Sequence, residues 1–357
     1  MSSIHIKDLK GGHIHFVGIG GISMSGLAEF LFRNGYKVTG SDVAESYITR
    51  DLASKGIPIT IGHKASNVEG ADLVVYTAAI ITSGKNPEME QANKLNIPTM
   101  NRAVLLGQIM EGFPHAIAIS GTHGKTTTTS MLALIMDRAN LDPTVFLGGK
   151  LDEIGGNVKI GNSPYFLAEA CEFSGSFLEM HPYIAVILNI DNDHLDYFKD
   201  MGHLYRSFLD FANLVPKGGF VVGCTDDPLV DKLLGEVNRN VISYGIEKKA
   251  DWIADEIKYD SMGCPSFHVL YKGQDMGWFN LRIPGKHNVY NALAAIAVAW
   301  TTGISREVIY QGLASYRGTQ RRFEVKGKVN GVTIVDEYGH HPTEIKATLA
   351  AAQNYPH

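Results

Sequence analysis

Residues 116–129 read AIAISGTHGKTTTT, and this stretch decides the architecture of the middle of the chain. Ala116–Ile119 is a short apolar run of strand type, Gly121 and Gly124 mark a turn, and a helix is expected from about Lys125. A strand, a glycine turn and a helix in that order are the setting of a phosphate-binding loop. Backbone N–H groups and the helix N-terminus there present partial positive charge to phosphate oxygens. In such a loop Lys125 reaches the outer phosphates and the Thr126 hydroxyl ligates Mg²⁺. The match to the general pattern is incomplete, because Ile119 stands where its first glycine belongs. The competing reading is a glycine turn capped by threonines.

On either side the chain alternates strand and helix signals. Upstream, His13–Val17, Tyr36–Thr39, Asp72–Tyr76 and Ile97–Met100 read as strands and Ser23–Asn34 as a helix, so an α/β fold with a parallel sheet and covering helices is expected. Downstream, Tyr165–Ala168, Ala185–Asn189 and Phe220–Val222 read as buried strands and Asn288–Trp300 as a helix. These patterns place domains at 1–113, 114–316 and 317–357. In the last, Val325–Lys328 and Val332–Asp336 form a hairpin through Asn330-Gly331, and Pro342 opens a helix to about Gln353. Some 40 residues are at the lower limit for an independent core. Either this piece packs onto the second domain or the sequence is a fragment of a longer chain, and the fragment is the expectation.

Several other motifs carry chemistry. Gly18-Ile-Gly-Gly-Ile-Ser-Met-Ser-Gly26 follows the first strand, with Asp42 at the end of the next, where an acid can hold a ribose. Ser23 replaces the third glycine of a dinucleotide fingerprint, so a pyrophosphate ligand other than NAD fits as well, and plain strand–helix packing is the alternative. Glu169, Glu172, Asp191, Asp193, His194 and Asp196 follow strands, where carboxylates face a ligand crevice and suit Mg²⁺, or else cap helices and solvate turns. His287, Asn288 and Asn291 share a helix face, and two amides can read a purine edge, although Asn288 is also a natural N-cap. Arg322 at a domain junction can clamp a phosphoryl group; otherwise Arg321 and Arg322 are two solvated charges. In Asp336-Glu-Tyr-Gly-His-His-Pro342 the paired histidines suggest metal, but no third ligand is spaced to support zinc.

Composition sets the outer bounds. The chain has 357 residues, 45% hydrophobic and 19% charged, which excludes global disorder. A net charge of −5 is too acidic for nucleic-acid binding through bulk positive charge. No apolar run reaches the ~18 residues of a membrane span, and residues 1–18 lack a secretory signal. Cys171, Cys224 and Cys264 are widely spaced, against a disulfide framework, so a reduced cytoplasmic protein is expected.

Taken in order, GTHGKTTTT, EACEFSGSFL, NIDNDHLD, GKHNVYNALAA, RRFE and DEYGHHPTEI resemble the Mur ligase family of peptidoglycan synthesis, from about His13 to the last residue. The resemblance is closest to the branch that adds L-alanine. It implies a Rossmann-like N-terminal domain that holds a UDP-sugar, a central P-loop ATPase domain with a mixed or parallel sheet, and a C-terminal Rossmann-like domain, here incomplete. It implies a cytoplasmic, ATP- and Mg²⁺-dependent ligase of cell wall biogenesis, monomeric or weakly dimeric. UDP-N-acetylmuramate is phosphorylated on its lactyl carboxylate, and the L-alanine amine then attacks the acyl phosphate. By position, Gly121, Thr122, His123, Gly124, Lys125, Thr126 and Thr127 hold ATP phosphates. Thr126, Glu172 and His194 are the metal ligands, and Asn288 and Asn291 the adenine contacts. Arg322 and Asp336 close on ATP, and Tyr338 and His340 lie near the amino acid. Lys125, His194 and Arg322 carry the catalytic roles. Gly18, Gly20, Gly21, Ser23, Met24, Ser25 and Asp42 hold the UDP-sugar rather than NAD.

Sister ligases carry a carbamylated lysine after the DHLD segment, and Tyr205–Asp210 has none, as suits the alanine-adding branch. The family's third domain continues for roughly another hundred residues, a domain-sized piece. The expectation is therefore a chain that binds UDP-N-acetylmuramate but ligates poorly or not at all. The nearest rival is the recycling branch, which attaches a ready-made tripeptide and for which Phe is expected at position 338. An NAD-dependent oxidoreductase explains only the first forty or so residues, and a non-catalytic UDP-sugar binder describes a fragment.

Overall fold

His13–Val17 (β1) is buried at all but its first residue, as a parallel strand covered on both faces must be. A computed structural model describes residues 4–77, 79–80, 84–193 and 197–355. The chain forms two units, Met1–Gly112 and Phe113–His357. In the first, β1 is joined by β2 (Lys37–Asp42), β3 (Ile59–Ile61), β4 (Leu73–Tyr76) and β5 (Thr99–Asn101). All pair in parallel in the order β3-β2-β1-β4-β5, a Rossmann-like sheet. The order reverses at β1, so the crevice of this sheet opens beyond β1 and β4, where the Gly18 loop lies. β2 runs further than its apolar residues suggest, because Gly40 and Ser41 continue it under cover. The helix after the loop spans Ile22–Arg33.

This unit buries a polar cluster. Glu88, fully buried at the start of the helix Pro87–Lys94, accepts from Ser41 Oγ (2.7 Å), bonds His63 Nδ1 (2.8 Å) and accepts from Asn67 Nδ2. His15 Nε2 stands 3.6 Å from its other oxygen, an ion-pair distance too long for a hydrogen bond. Burial pushes the Glu88 carboxyl up, but His15, Ser41 and Asn67 outweigh it and hold the pKa at about 2. A depressed carboxyl contributes stability that is present above its ordinary value of 4.5 and is lost as pH falls through about 2. Glu88→Ala is expected to destabilise this unit by about 3–5 kcal/mol, by stranding buried partners. Denaturant unfolding followed at first-unit amides checks it, and an unchanged midpoint would refute it.

The second unit is built on one sheet of ten strands. They are β6 (His115–Ser120), β7 (Thr144–Leu151), β8 (Gly156–Lys159), β9 (Tyr165–Glu169), β10 (Ile184–Ile187), β11 (Phe220–Cys224), β12 (Asn240–Gly245), β13 (Trp252–Tyr259), β14 (Pro265–Tyr271) and β15 (Gln274–Asn280). The order is β15-β14-β13-β12-β11-β10-β6-β9-β7-β8. Strands β7, β9, β6, β10, β11, β12 and β13 run parallel, and antiparallel pairs close both edges. Helices Lys125–Arg138 and His287–Thr301 pack on each other within the main core, and both are buried nearly all round.

The polar residues buried on these helices are satisfied. Thr129 Oγ1 donates to Lys125 O (2.8 Å), and Ser130 Oγ accepts from Thr319 Oγ1 (3.0 Å). The segment after Gly318 is therefore tied to the second unit. It carries the hairpin β16 (Glu324–Val329) and β17 (Val332–Asp336) and the helix Pro342–Gln353.

Candidate active site

The phosphate-type loop sits at the carboxyl end of β6, in the middle of the sheet, and opens the helix at Lys125. Gly121 (φ +135°) and Gly124 (φ +86°) take conformations that side chains rarely adopt. A Cβ on Gly121 would stand 2.9 Å from Leu188 Cβ, and one on Gly124 would overlap Asn291 Oδ1. Gly124 is the N-cap and no side chain caps the helix, so the threonine-cap reading does not hold.

Lys125 crosses to the end of β9. Its Nζ lies 2.9 and 3.1 Å from the Glu172 carboxylate oxygens and donates to Thr122 O (3.1 Å) and Gly121 O. Glu172 is 1% exposed, so this is a buried pair. Burial favours the neutral amine, but Glu172, with Cys171 and Glu169 nearby, raises the Lys125 pKa. Thr126 Oγ1 donates to Glu169 Oε2 (3.0 Å), whose other oxygen accepts from Gly148 N. Burial pushes the Glu169 carboxyl up despite these donors. Thr126, Glu169 and Glu172 thus gather oxygen donors around one lysine, a set that suits a hard cation such as Mg²⁺. His194 and Asp196 lie outside the described residues.

Beside the loop is a cavity of ≈460 Å³, within the range of small-molecule sites. His123, Gly124 and Thr127 line it from the loop, Asn288 and Asn291 from the facing helix, and Arg322 from the third segment. Asn288 does not cap: the helix begins at His287, and Asn288 Nδ2 donates to Pro284 O (2.7 Å). Asn291 Nδ2 donates to Asn288 Oδ1 (3.1 Å), and Asn291 Oδ1 accepts from Thr128 Oγ1 (3.3 Å). Arg322 Nη1 is 3.6 Å from Glu344 and 3.7 Å from Glu337, so it is not a solvated charge, whereas Arg321 is 57% exposed.

Of the candidates in the last segment, Asp336, Tyr338 and His340 lie away from the cavity lining. Asp336 faces Arg321 and Lys326 on the hairpin, at 3.9 Å from each, while its neighbour Glu337 lines the cavity. Tyr338 lies under Arg321 and Arg322, with His340 edge-on to its ring. In the first unit, Gly18 N and Ile19 N both donate to Ser41 O (2.9 Å), and Gly20 N donates to Asp42 Oδ2 (2.8 Å), so Asp42 braces the glycine loop. Gly21 caps the following helix. Met24 and Ser25 are buried in it, with Ser25 Oγ donating to Ile22 O (2.8 Å), and Ser23 is half-buried.

Other lining residues went unassigned in the sequence. Asp226 accepts from Tyr290 Oη (2.9 Å) and from three backbone N–H groups at 246–248. Its signal was available, since Thr225-Asp-Asp-Pro228 directly follows β11 as the acids at 169 and 191 follow β9 and β10. Glu344 sits 3.3 Å from His123 Nδ1. Burial raises its pKa, but His123 and Arg322 bring it down to about 2.

A strand-borne phosphate loop with a carboxylate-paired lysine and an amide-lined cavity is the site of a nucleotide-dependent phosphoryl-transfer enzyme. Residues 13–114 match the Mur ligase family catalytic domain, 119–299 the Mur ligase middle domain and 321–357 the Mur ligase glutamate ligase domain. The chain belongs to the Mur ligase family. It is 54% identical to a UDP-N-acetylmuramate–L-alanine ligase of Caldanaerobacter subterraneus subsp. tengcongensis, over 96% of this chain and 74% of that protein. It is 52% identical to one of Clostridium beijerinckii, over 100% of this chain and 77% of that protein. The structure of the UDP-N-acetylmuramate–alanine ligase of Thermotoga maritima superposes with a TM-score of 0.85 at 32% identity, covering 96% of this chain and 78% of that one. A murein peptide ligase of Psychrobacter arcticus gives 0.82 at 28% identity, over 96% and 76%.

Proposed function

We propose that this chain is an ATP-dependent ligase that joins L-alanine to UDP-N-acetylmuramate, the first amino-acid addition of peptidoglycan synthesis. The observation that carries the reading is the Gly121–Thr127 loop with Lys125 paired to buried Glu172, in a chain more than half identical to alanine-adding ligases. A carboxylate is a poor electrophile, and phosphorylation supplies a leaving group. The bond from the ATP γ-phosphorus to its bridging oxygen breaks as the lactyl carboxylate oxygen bonds that phosphorus. The alanine amine then attacks the acyl carbon, loses a proton, and phosphate leaves as the amide forms.

In this reading the loop N–H groups and Lys125 hold the phosphates, Arg322 draws in the transferring group, and Asn288 and Asn291 read the adenine edge. Mg²⁺, held by Thr126, Glu172 and His194, supplies charge neutralisation on phosphate oxygens when bound. The Gly18–Ser25 loop, braced by Asp42, takes the UDP-sugar, Tyr338 and His340 serve the amino acid, and Asp336 closes on the nucleotide. The chain works in the cytoplasm, as a monomer or weak dimer. Among the described residues no helix is long and apolar enough to cross a membrane.

The test is phosphate release with UDP-N-acetylmuramate, ATP and Mg²⁺, with L-alanine or with the tripeptide, on this chain and on one extended to its relatives' length. Release that depends on L-alanine is expected from the extended chain. Release with the tripeptide alone moves the reading to the recycling branch, and silence with both in the extended chain refutes it.

A further inference from the structure

Sequence spacing offers His340-His341 no third metal ligand, but the fold supplies two from elsewhere. His341, the N-cap of the helix Pro342–Gln353, meets His123 of the phosphate-type loop and Asp191 beyond β10. One ligand atom from each lies within 4.8 Å of the others. His123 Nε2 is 3.1 Å and His341 Nδ1 3.6 Å from the same oxygen, Asp191 Oδ2, and the two rings lie 4.7 Å apart between centroids. Metal–ligand bonds of about 2.1 Å in a tetrahedron put ligand atoms roughly 3.4 Å apart, so both separations are already close to that spacing.

The outer contacts point the same way. His341 Nε2 lies 3.1 Å from Asn192 O, which can only accept, so that nitrogen carries the proton. Nδ1 is then a lone-pair atom, consistent with its accepting Thr343 N (3.3 Å), and it faces a carboxylate oxygen with no proton of its own to place between them. Asp191 is held on both sides, Oδ2 by Thr343 Oγ1 (2.6 Å) and Oδ1 by Asn192 N (2.7 Å). His123 Nε2 is hydrogen-bonded to Asp191 Oδ2 (3.1 Å), and its buried Nδ1 lies 3.3 Å from Glu344 Oε1. A cation that takes Nε2 displaces that proton, and Glu344 then faces the proton on Nδ1. Histidines whose far nitrogens face a carboxylate and a backbone carbonyl, around a fixed third ligand, are the usual surroundings of a bound transition ion.

We infer that His123, Asp191 and His341 form a binding site for a borderline divalent cation of the Zn²⁺ class, completed by water. It is separate from the oxygen-donor set at Thr126, Glu169 and Glu172. Two imidazoles and one carboxylate select Zn²⁺ or Co²⁺ over Mg²⁺. Because its ligands come from the loop, the end of β10 and the start of the last helix, occupancy fastens that helix to the loop.

The test is titration of the untagged, chelator-treated protein with Co²⁺, read by the visible d–d absorption of a tetrahedral ion. One equivalent is expected to give the band, Zn²⁺ to abolish it, and excess Mg²⁺ to leave it unchanged. His341→Ala is expected to lose the band. Thr343→Val, which removes only the hydroxyl that holds Asp191, is expected to weaken Co²⁺ by about 10-fold. His203→Ala, which removes none of the three ligands, is expected to match the parent. Zn²⁺ is also expected to slow amide exchange across 342–353. No band, a band retained in His341→Ala, or displacement by Mg²⁺ overturns the site. If His341→Ala fails to fold, as judged by circular dichroism, the Thr343→Val affinity decides.

Discussion

Lys125→Met is expected to cut ATP-dependent phosphate release by on the order of 10³-fold, the effect of removing one preorganised charge from a transition state. It is also expected to destabilise the second unit by about 3–5 kcal/mol, because Glu172 would be left in a buried site with no cation beside it. The two losses separate in a double variant. Adding Glu172→Gln removes the stranded charge, so thermal stability recovers while phosphate release does not. Recovery of activity along with stability would show Lys125 to be a structural partner of Glu172 and not a phosphate ligand.

Gly124→Ala is expected to be nearly as damaging through geometry alone. The left-handed backbone costs roughly 1–2 kcal/mol for a residue with a Cβ, and that Cβ would overlap the Asn291 side-chain oxygen. Asn291 is linked through Asn288 to Pro284 O, so pushing it aside disturbs both amides proposed to read adenine. A misplacement of about 1 Å in a positioning group can cost around 100-fold, here expected chiefly as a raised KM for ATP. Gly124→Ala with Asn291→Gly relieves the overlap and leaves the backbone strain, so it is expected to regain part of the stability and none of the adenine recognition. A single variant with unchanged KM would sink the assignment of Asn291.

Most of the parallel heart of each unit was readable because its strands are short apolar runs punctuated by glycine, though β3 and β12 went unnoticed. β6 with its loop, β1 with Gly18 and the helix from Pro342 announce themselves in this way. The antiparallel extension from β13 to β15 did not. β13 alternates buried and half-exposed positions and carries charges, so it has no apolar run to notice, and it owes its burial to neighbours in the sheet. The hairpin of β7 and β8 likewise hides in a glycine-rich stretch. Within the site, residues adjacent in sequence to a motif were found. Asp226 was not, because the end of β11 brings it to the cavity, and Tyr290 and Glu344 lie inside the motifs without having been assigned a role. The paired histidines His340-His341 had no third ligand by local spacing, and the fold sets His123 and Asp191 beside His341 from distant parts of the chain.

The pairing of Lys125 with Glu172 also bears on which anions the loop admits. A lysine already neutralised by its own carboxylate offers little to free phosphate or sulfate, since either would have to evict Glu172 and leave it buried without a counter-charge. A nucleotide that arrives with its divalent ion brings the replacement cation with it, so lysine and glutamate can change partners together. The expected consequence is a filter on the company an anion keeps: the loop stays indifferent to the abundant bare oxyanions of the cell and responds to the one that travels with its metal.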